Sequence, residues 1–175
     1  DFDEAREEVE RRVSAAGGGL RYVHPANEPL LVAGVATYAL EIFEALPDAD
    51  VVFVPIGGGS GAAGLVTVRD ALGLEARIVG VQAERADAFA RSWRTGVRVT
   101  GDRADTFAEG MATRVTFDLT FGILRCGLDD IVTLSEEEIA DGVRLALRTT
   151  HNLAEGAGAA PLAAAARQRA RLAGR

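Results

Sequence analysis

The chain contains no lysine: all 19 of its cationic side chains are arginine. Arginine stays protonated at any ordinary pH and is a poor imine-forming nucleophile, so no side chain here offers covalent amine chemistry. Cysteine is almost as scarce, with Cys126 standing alone. One thiol cannot close an internal disulfide, which fits a reducing compartment, and the expected role is buried filler rather than nucleophile. Apolar runs fall far short of the roughly 20 residues that a membrane-spanning helix needs. No basic-then-apolar leader opens the sequence, so the expectation is a cytoplasmic protein with no membrane partner. A basic patch is missing as well. The net charge is -7 and the arginines are scattered, which argues against nucleic acid, because phosphate backbones select basic faces.

What is present suffices for one sizeable core. With 175 residues, 48% of them hydrophobic, the expectation is a single domain over 1–175. Its centre is residues 51–65. The apolar run Val51-Val52-Phe53-Val54-Pro55-Ile56 breaks into Gly57-Gly58-Gly59-Ser60-Gly61, and a helical pattern resumes from Ala62. That order reads as a buried strand, a turn and a helix N-terminus. Glycines let the backbone approach a ligand closely, several N–H groups face one space, and the helix dipole adds partial positive charge there. Gly57, Gly58, Gly59 and Ser60 are therefore candidate anion-binding residues, with the Ser60 hydroxyl as a further donor.

Around this loop the pattern is that of an α/β fold. Residues 3–14 carry charge on most positions, with acid before base at helical spacing, and predict an exposed helix that Gly17-Gly18-Gly19 ends. Leu20 to Val23 is a weak strand beside what reads as a flexible link. His24-Pro25-Ala26-Asn27-Glu28-Pro29 is a turn, and Leu30 to Leu46 predicts one helix. His24 has no second His or Cys at metal spacing, so it reads as a turn histidine. Helix from Ala62 to Leu72, capped by Gly73, precedes a strand from Ala76 to Gln82. A strand, a helix and a second strand at this spacing predict a right-handed crossover between parallel strands covered by helices on both faces. Phosphate sites in such sheets lie at the carboxyl ends of strands, where the glycine loop falls. Further helices are expected over Ala86 to Arg94, with Trp93 packing, and over Phe117 to Arg125. A strand at Asp129 to Leu134 comes next. Ser135-Glu136-Glu137-Glu138 then forms a capping box opening a helix through about His151, and a last helix runs from Gly156 to Ala173.

Two uses of the loop compete. Gly59-Ser60-Gly61-Ala62-Ala63-Gly64 satisfies the dinucleotide fingerprint, with Glu84 following 20 residues after Gly64 as the acid for a ribose hydroxyl. On that reading the chain is a non-catalytic phosphate- or dinucleotide-binding Rossmann-like module. Roughly fifty residues with their own strand and helix precede the motif, however, where the fingerprint normally opens its domain.

The longer run from Val54 to Gly64, Val-Pro-Ile-Gly-Gly-Gly-Ser-Gly-Ala-Ala-Gly, resembles the phosphate loop of fold-type II pyridoxal-phosphate enzymes, in the threonine/serine dehydratase (ammonia-lyase) and serine racemase branch. Other stretches agree in the same order: the His24 to Pro29 turn with Val32-Ala33-Gly34, then Gly80-Val81-Gln82, Ala108-Glu109-Gly110-Met111-Ala112, and Glu155-Gly156-Ala157-Gly158. The resemblance implies a tryptophan-synthase-β-like fold, a three-layer parallel sheet flanked by helices, present here in part. It implies pyridoxal 5'-phosphate held by Gly57, Gly58, Gly59 and Ser60, with Gly110 and Glu155 beside the cofactor ring. Glu109 stands where the family usually has Asp, and Ser60 where it mostly has glycine. Racemase relatives bind a divalent cation through acids at the positions of Gln82 and Ala88; an amide and a methyl do not suit a hard cation, so no metal is expected there. The family's imine-forming lysine belongs to a segment upstream of Asp1, and its final strand would follow Arg175. No catalytic residue of the family falls within this chain, because the Schiff-base lysine is absent. The chain is thus expected to be mostly the large cofactor-binding domain of a longer enzyme, inactive by itself. The resemblance implies a small amino-acid substrate, a companion segment or chain with the lysine, and a homo-oligomer. Threonine versus serine, and elimination versus racemisation, stay open.

Overall fold

The computed structural model describes residues 2–174. The chain opens with α1 (Phe2–Ala15), an exposed helix carrying ion pairs at one-turn spacing, Arg6 to Glu10 at 2.8 Å and Arg12 to Glu8 at 2.7 Å. Exposed pairs of this kind contribute only about 0.3–0.5 kcal/mol each, so the helix rests as much on the absence of helix breakers as on its charges. Leu20 to Val23 forms no strand. The helix expected over Leu30 to Leu46 is two, α2 (Pro29–Val35) and α3 (Thr37–Ala45). Thr37 Oγ1 donates to the Gly34 carbonyl at 2.9 Å, a local bond that competes with the regular ladder at the junction.

Three parallel strands follow: β1 (Val51–Pro55), then β2 (Arg77–Ala83) after α4 (Ser60–Leu72), and β3 (Asp130–Leu134) after α5 (Ala88–Thr95) and α6 (Asp118–Gly127). The order across the sheet is β1-β2-β3, with Val54 opposite Gly80 and Gly80 opposite Ile131. Alternation along the strands builds two cores. Val54 and Ile56, Ile78 and Ile131 face α2 to α6, where Phe43, Leu65, Phe89, Phe121 and Leu124 are buried. Val81, Ala83 and Leu134 face the other side, against α7 (Glu136–Thr150) and α8 (Gly156–Arg167), through Ile139 and a row of α8 alanines. The result is the three-layer parallel α/β arrangement expected.

α7 begins at the predicted capping box: Ser135 Oγ accepts from Glu138 N–H while the Glu138 carboxylate accepts from Ser135 N–H. The last helix breaks at Gln168, leaving α9 (Arg169–Leu172) as a separate turn. Cys126 is exposed, not buried. α6 turns Thr120, Phe121, Leu124 and Gly127 inward, and on a 3.6-residue period Cys126 falls on the opposite side. Trp93 packs half-buried against the first core.

Candidate functional site

The glycine loop sits at the carboxyl end of β1. Ile56 N–H still donates to Val81 O at 2.9 Å, and beyond it sheet pairing stops. Among the described residues, none of the N–H groups of Gly57, Gly58, Gly59 and Ser60 meets a protein acceptor. The carbonyls beside them are treated differently. Ile56 O accepts from Gln82 Nε2 at 3.1 Å, Gly58 O from Thr120 Oγ1 at 2.7 Å, and Gly59 O from Ala63 N–H at 2.8 Å. Gly61 O accepts from the Tyr38 hydroxyl at 3.0 Å, and burial pushes Tyr38 up to about 12, so that hydroxyl remains a donor. The carbonyls of Ile56, Gly58, Gly59 and Gly61 are tied back while the loop N–H groups are left open, at the N-terminus of a 13-residue helix. Unpaired amides and the helix dipole act in the same direction there, an arrangement that suits an anion.

Two glycines are required by the geometry. Gly59, the residue before α4, has φ +88°, a left-handed conformation that side chains resist. At Gly57 a Cβ would stand 2.1 Å from the carbonyl oxygen of Gly110. The tight turn Glu109–Met111 therefore lies directly against the loop. Gly110 in turn leaves room for α8: a Cβ there would stand 2.9 Å from Ala157 Cβ and 3.7 Å from Glu155 Oε1. The expected site residues Gly57, Gly110 and Glu155 thus form one contiguous patch from three separate parts of the chain. Glu155 is also the cap of α8, accepting from Ala157 N–H at 3.0 Å and Gly158 N–H at 2.9 Å. Ser60 starts α4 half-buried, and the Glu109 side chain is exposed.

The rear wall of the loop is made by the His24 turn and α6. His24 Nδ1 accepts from Ala26 N–H at 2.9 Å and Asn27 N–H at 3.0 Å, the bonding of a turn histidine. Burial, helped by the Arg6 charge and opposed by Glu10, holds its pKa below the ordinary 6.5. Its ring stands edge-on to Phe117 with centroids 4.8 Å apart. α6 has no side-chain cap of its own; Asn27 Oδ1 supplies one, accepting from Leu119 N–H at 3.1 Å. Gln82 is fully buried, with Oε1 accepting from Ala90 N–H at 2.8 Å as well as Nε2 donating to the loop. Its amide is occupied by backbone on both sides. Among the described residues no group of three or more His, Cys, Asp or Glu is placed to hold a metal. Asn27, Gln82 and Thr120 were not singled out as supports of the loop by sequence reasoning. Their partners lie 92, 26 and 62 residues away, and no local pattern announces such bonds.

The comparisons with known proteins point the same way. The family model described as pyridoxal-phosphate dependent enzyme matches residues 1–175. The L-threonine ammonia-lyase of Thermotoga maritima is 39% identical over 163 residues, covering 93% of this chain and 40% of that protein. The catabolic L-threonine dehydratase TdcB of Escherichia coli K12 is 36% identical, over 83% of this chain and 44% of that one. Among solved structures, the threonine deaminase of T.th. superposes with a TM-score of 0.84 at 35% identity, covering 89% of this chain and 59% of the other. Maize serine racemase does so with a TM-score of 0.87 at 29% identity, covering 97% and 51%. The chain spans less than two thirds of each of these four proteins.

Proposed function

The chain belongs to the pyridoxal-phosphate dependent enzymes, and from that membership we propose that it is a portion of a dehydratase acting on L-threonine or L-serine. In this reading it is mostly the large cofactor-binding domain, and its task is to grip the cofactor phosphate. The observation that carries the proposal is the set of four open N–H groups at Gly57, Gly58, Gly59 and Ser60. A phosphate dianion fits that surface. It needs several donors converging on one point, and the carbonyls of Ile56 and Gly58, which would repel it, are engaged behind the loop.

When bound, pyridoxal 5'-phosphate supplies an electron sink for a carbanion at the substrate α-carbon. This chain's residues would orient it. Gly57 to Ser60 hold the phosphate end, while Gly110 and Glu155 line the ring side, where the Glu155 carboxylate is fixed by two helix N–H groups. The chain has no lysine, so the amine nucleophile would come from a companion segment or chain. The net reaction is loss of ammonia: the β-hydroxyl leaves as water, and one water is taken up as ammonia departs, giving a 2-oxo acid.

The superposition on maize serine racemase supports a second reading, racemisation of serine at the same site. Supplying the intact protein with pyridoxal 5'-phosphate and either L-threonine or L-serine separates the two. Release of 2-oxo acid and ammonia is the expected result, D-serine alone would favour the racemase, and neither product would remove both readings.

A further inference from the structure

Resting on the reading of the loop as a phosphate site, we infer that Thr120 is a positioning residue that aims the Gly59 N–H at the cofactor phosphate. A trans peptide is planar, so its C=O and the following N–H point in opposite directions. Whatever fixes the Gly58 carbonyl therefore fixes the Gly59 N–H. The Gly58 carbonyl is held by Thr120 Oγ1 at 2.7 Å, a shorter bond than that hydroxyl's alternative to Phe117 O at 3.5 Å. Thr120 is fully buried, so no water competes for its hydroxyl.

The loop also lies flat on this residue. A Cβ on Gly59 would stand 3.2 Å from Thr120 Cβ and 3.3 Å from its Oγ1. Without the hydroxyl, a Gly58–Gly59 peptide bordered by two glycines is free to rotate, because neither flanking residue penalises the flipped plane. The N–H would then turn toward α6 and the carbonyl toward the anion. Thr120 is itself fixed: it lies in the first turn of α6, which Asn27 caps and whose Phe117 packs beside Gly58. The preceding peptide of the same kind, Ile56–Gly57, has its carbonyl held by Gln82 and its N–H open, so the device occurs twice in four residues.

The test compares affinities of the intact protein for pyridoxal 5'-phosphate and for pyridoxal, which lacks only the phosphate. Thr120→Val keeps the shape and removes the donor. The expected result is about a tenfold loss of affinity for pyridoxal 5'-phosphate, the size of one lost hydrogen bond at the upper end of its usual range, with pyridoxal unaffected. Thr120→Ser keeps the hydroxyl and should bind like the parent. Should Thr120→Val fail to fold, the Ser and Ala variants at this position make the same comparison, since both lack the methyl group and only Ser keeps the hydroxyl. Equal losses for both ligands would make Thr120 a structural residue only, and an unchanged preference would also overturn the inference. If the parent itself binds pyridoxal as well as pyridoxal 5'-phosphate, the phosphate reading of the loop fails, and the role of Thr120 with it.

Discussion

Replacing Gly57 by alanine puts the loop's packing to a direct test. The new Cβ would stand 2.1 Å from Gly110 O, 3.1 Å from Gly110 C and 3.3 Å from Met111 Cα. All three are backbone atoms, so no side chain can rotate away. Relief requires the Glu109–Met111 turn or the loop to move by roughly 1 Å or more to reach ordinary contact, and overpacking of this kind costs typically about 1–3 kcal/mol. For a chain of this size that corresponds to a fall in Tm of roughly 2–12 °C. The same movement shifts the Gly57 N–H, one of the four proposed to hold the phosphate, so affinity for pyridoxal 5'-phosphate should fall together with stability. Gly61→Ala is the control, because its added Cβ meets only the Tyr38 hydroxyl, at 3.9 Å. In the first turn of α4 it should be neutral, or stabilising by up to about 1 kcal/mol. Thermal unfolding and cofactor titration of the two variants make the measurement. If Gly57→Ala matched the parent in both, the close approach of the two turns and the argument built on it would be wrong.

Asn27→Ala removes the only side-chain cap seen on α6 among the described residues and should cost about 1 kcal/mol, read as a Tm lowered by roughly 2–4 °C; no shift would mean that the cap is idle. His24 titrates below its ordinary value in the fold, so the unfolded chain takes up its proton first as pH falls. The sign follows: its contribution to stability is complete above pH 6.5 and is lost as pH drops toward the lowered value. His24→Asn, which keeps an acceptor for the turn and does not titrate, should flatten that part of the stability profile; an unchanged acid slope in urea melts would contradict this. Borohydride reduction in the presence of pyridoxal 5'-phosphate should leave no adduct on any side chain of these 175 residues, because none carries a primary amine. A modified side chain found by peptide mass mapping would refute it.

How far the fold was legible depended on whether the signal was local. Strand, glycine loop and helix over 51–72 could be read because period, apolar run and glycines change within a few residues of one another. The capping box at Ser135 and Glu138 is a pattern contained in four residues. Local patterns also misled. Leu30 to Leu46 keeps helical spacing throughout, and the junction of α2 and α3 at Ala36 leaves no trace in the apolar period. Cys126 looked like filler by residue type, but its place on α6 depends on which side of that helix meets the sheet. In the site, Gly57 is legible in the glycine loop itself, Gly110 and Glu155 come only from a family resemblance, and only the folded chain gives their mutual contact. Glu155 also turned out to cap α8, a task that cap preferences assign to Ser, Thr, Asp or Asn. Gln82 drew notice as a departure from a metal site, whereas its bonds make it a brace between the loop and α5.

A structure of the intact protein with pyridoxal 5'-phosphate bound tests the central claim most directly. The phosphate oxygens should lie within hydrogen-bonding distance, about 2.7–3.2 Å, of the amide nitrogens of Gly57, Gly58, Gly59 and Ser60. A phosphate seated elsewhere, or those four N–H groups turned onto protein carbonyls, would contradict it.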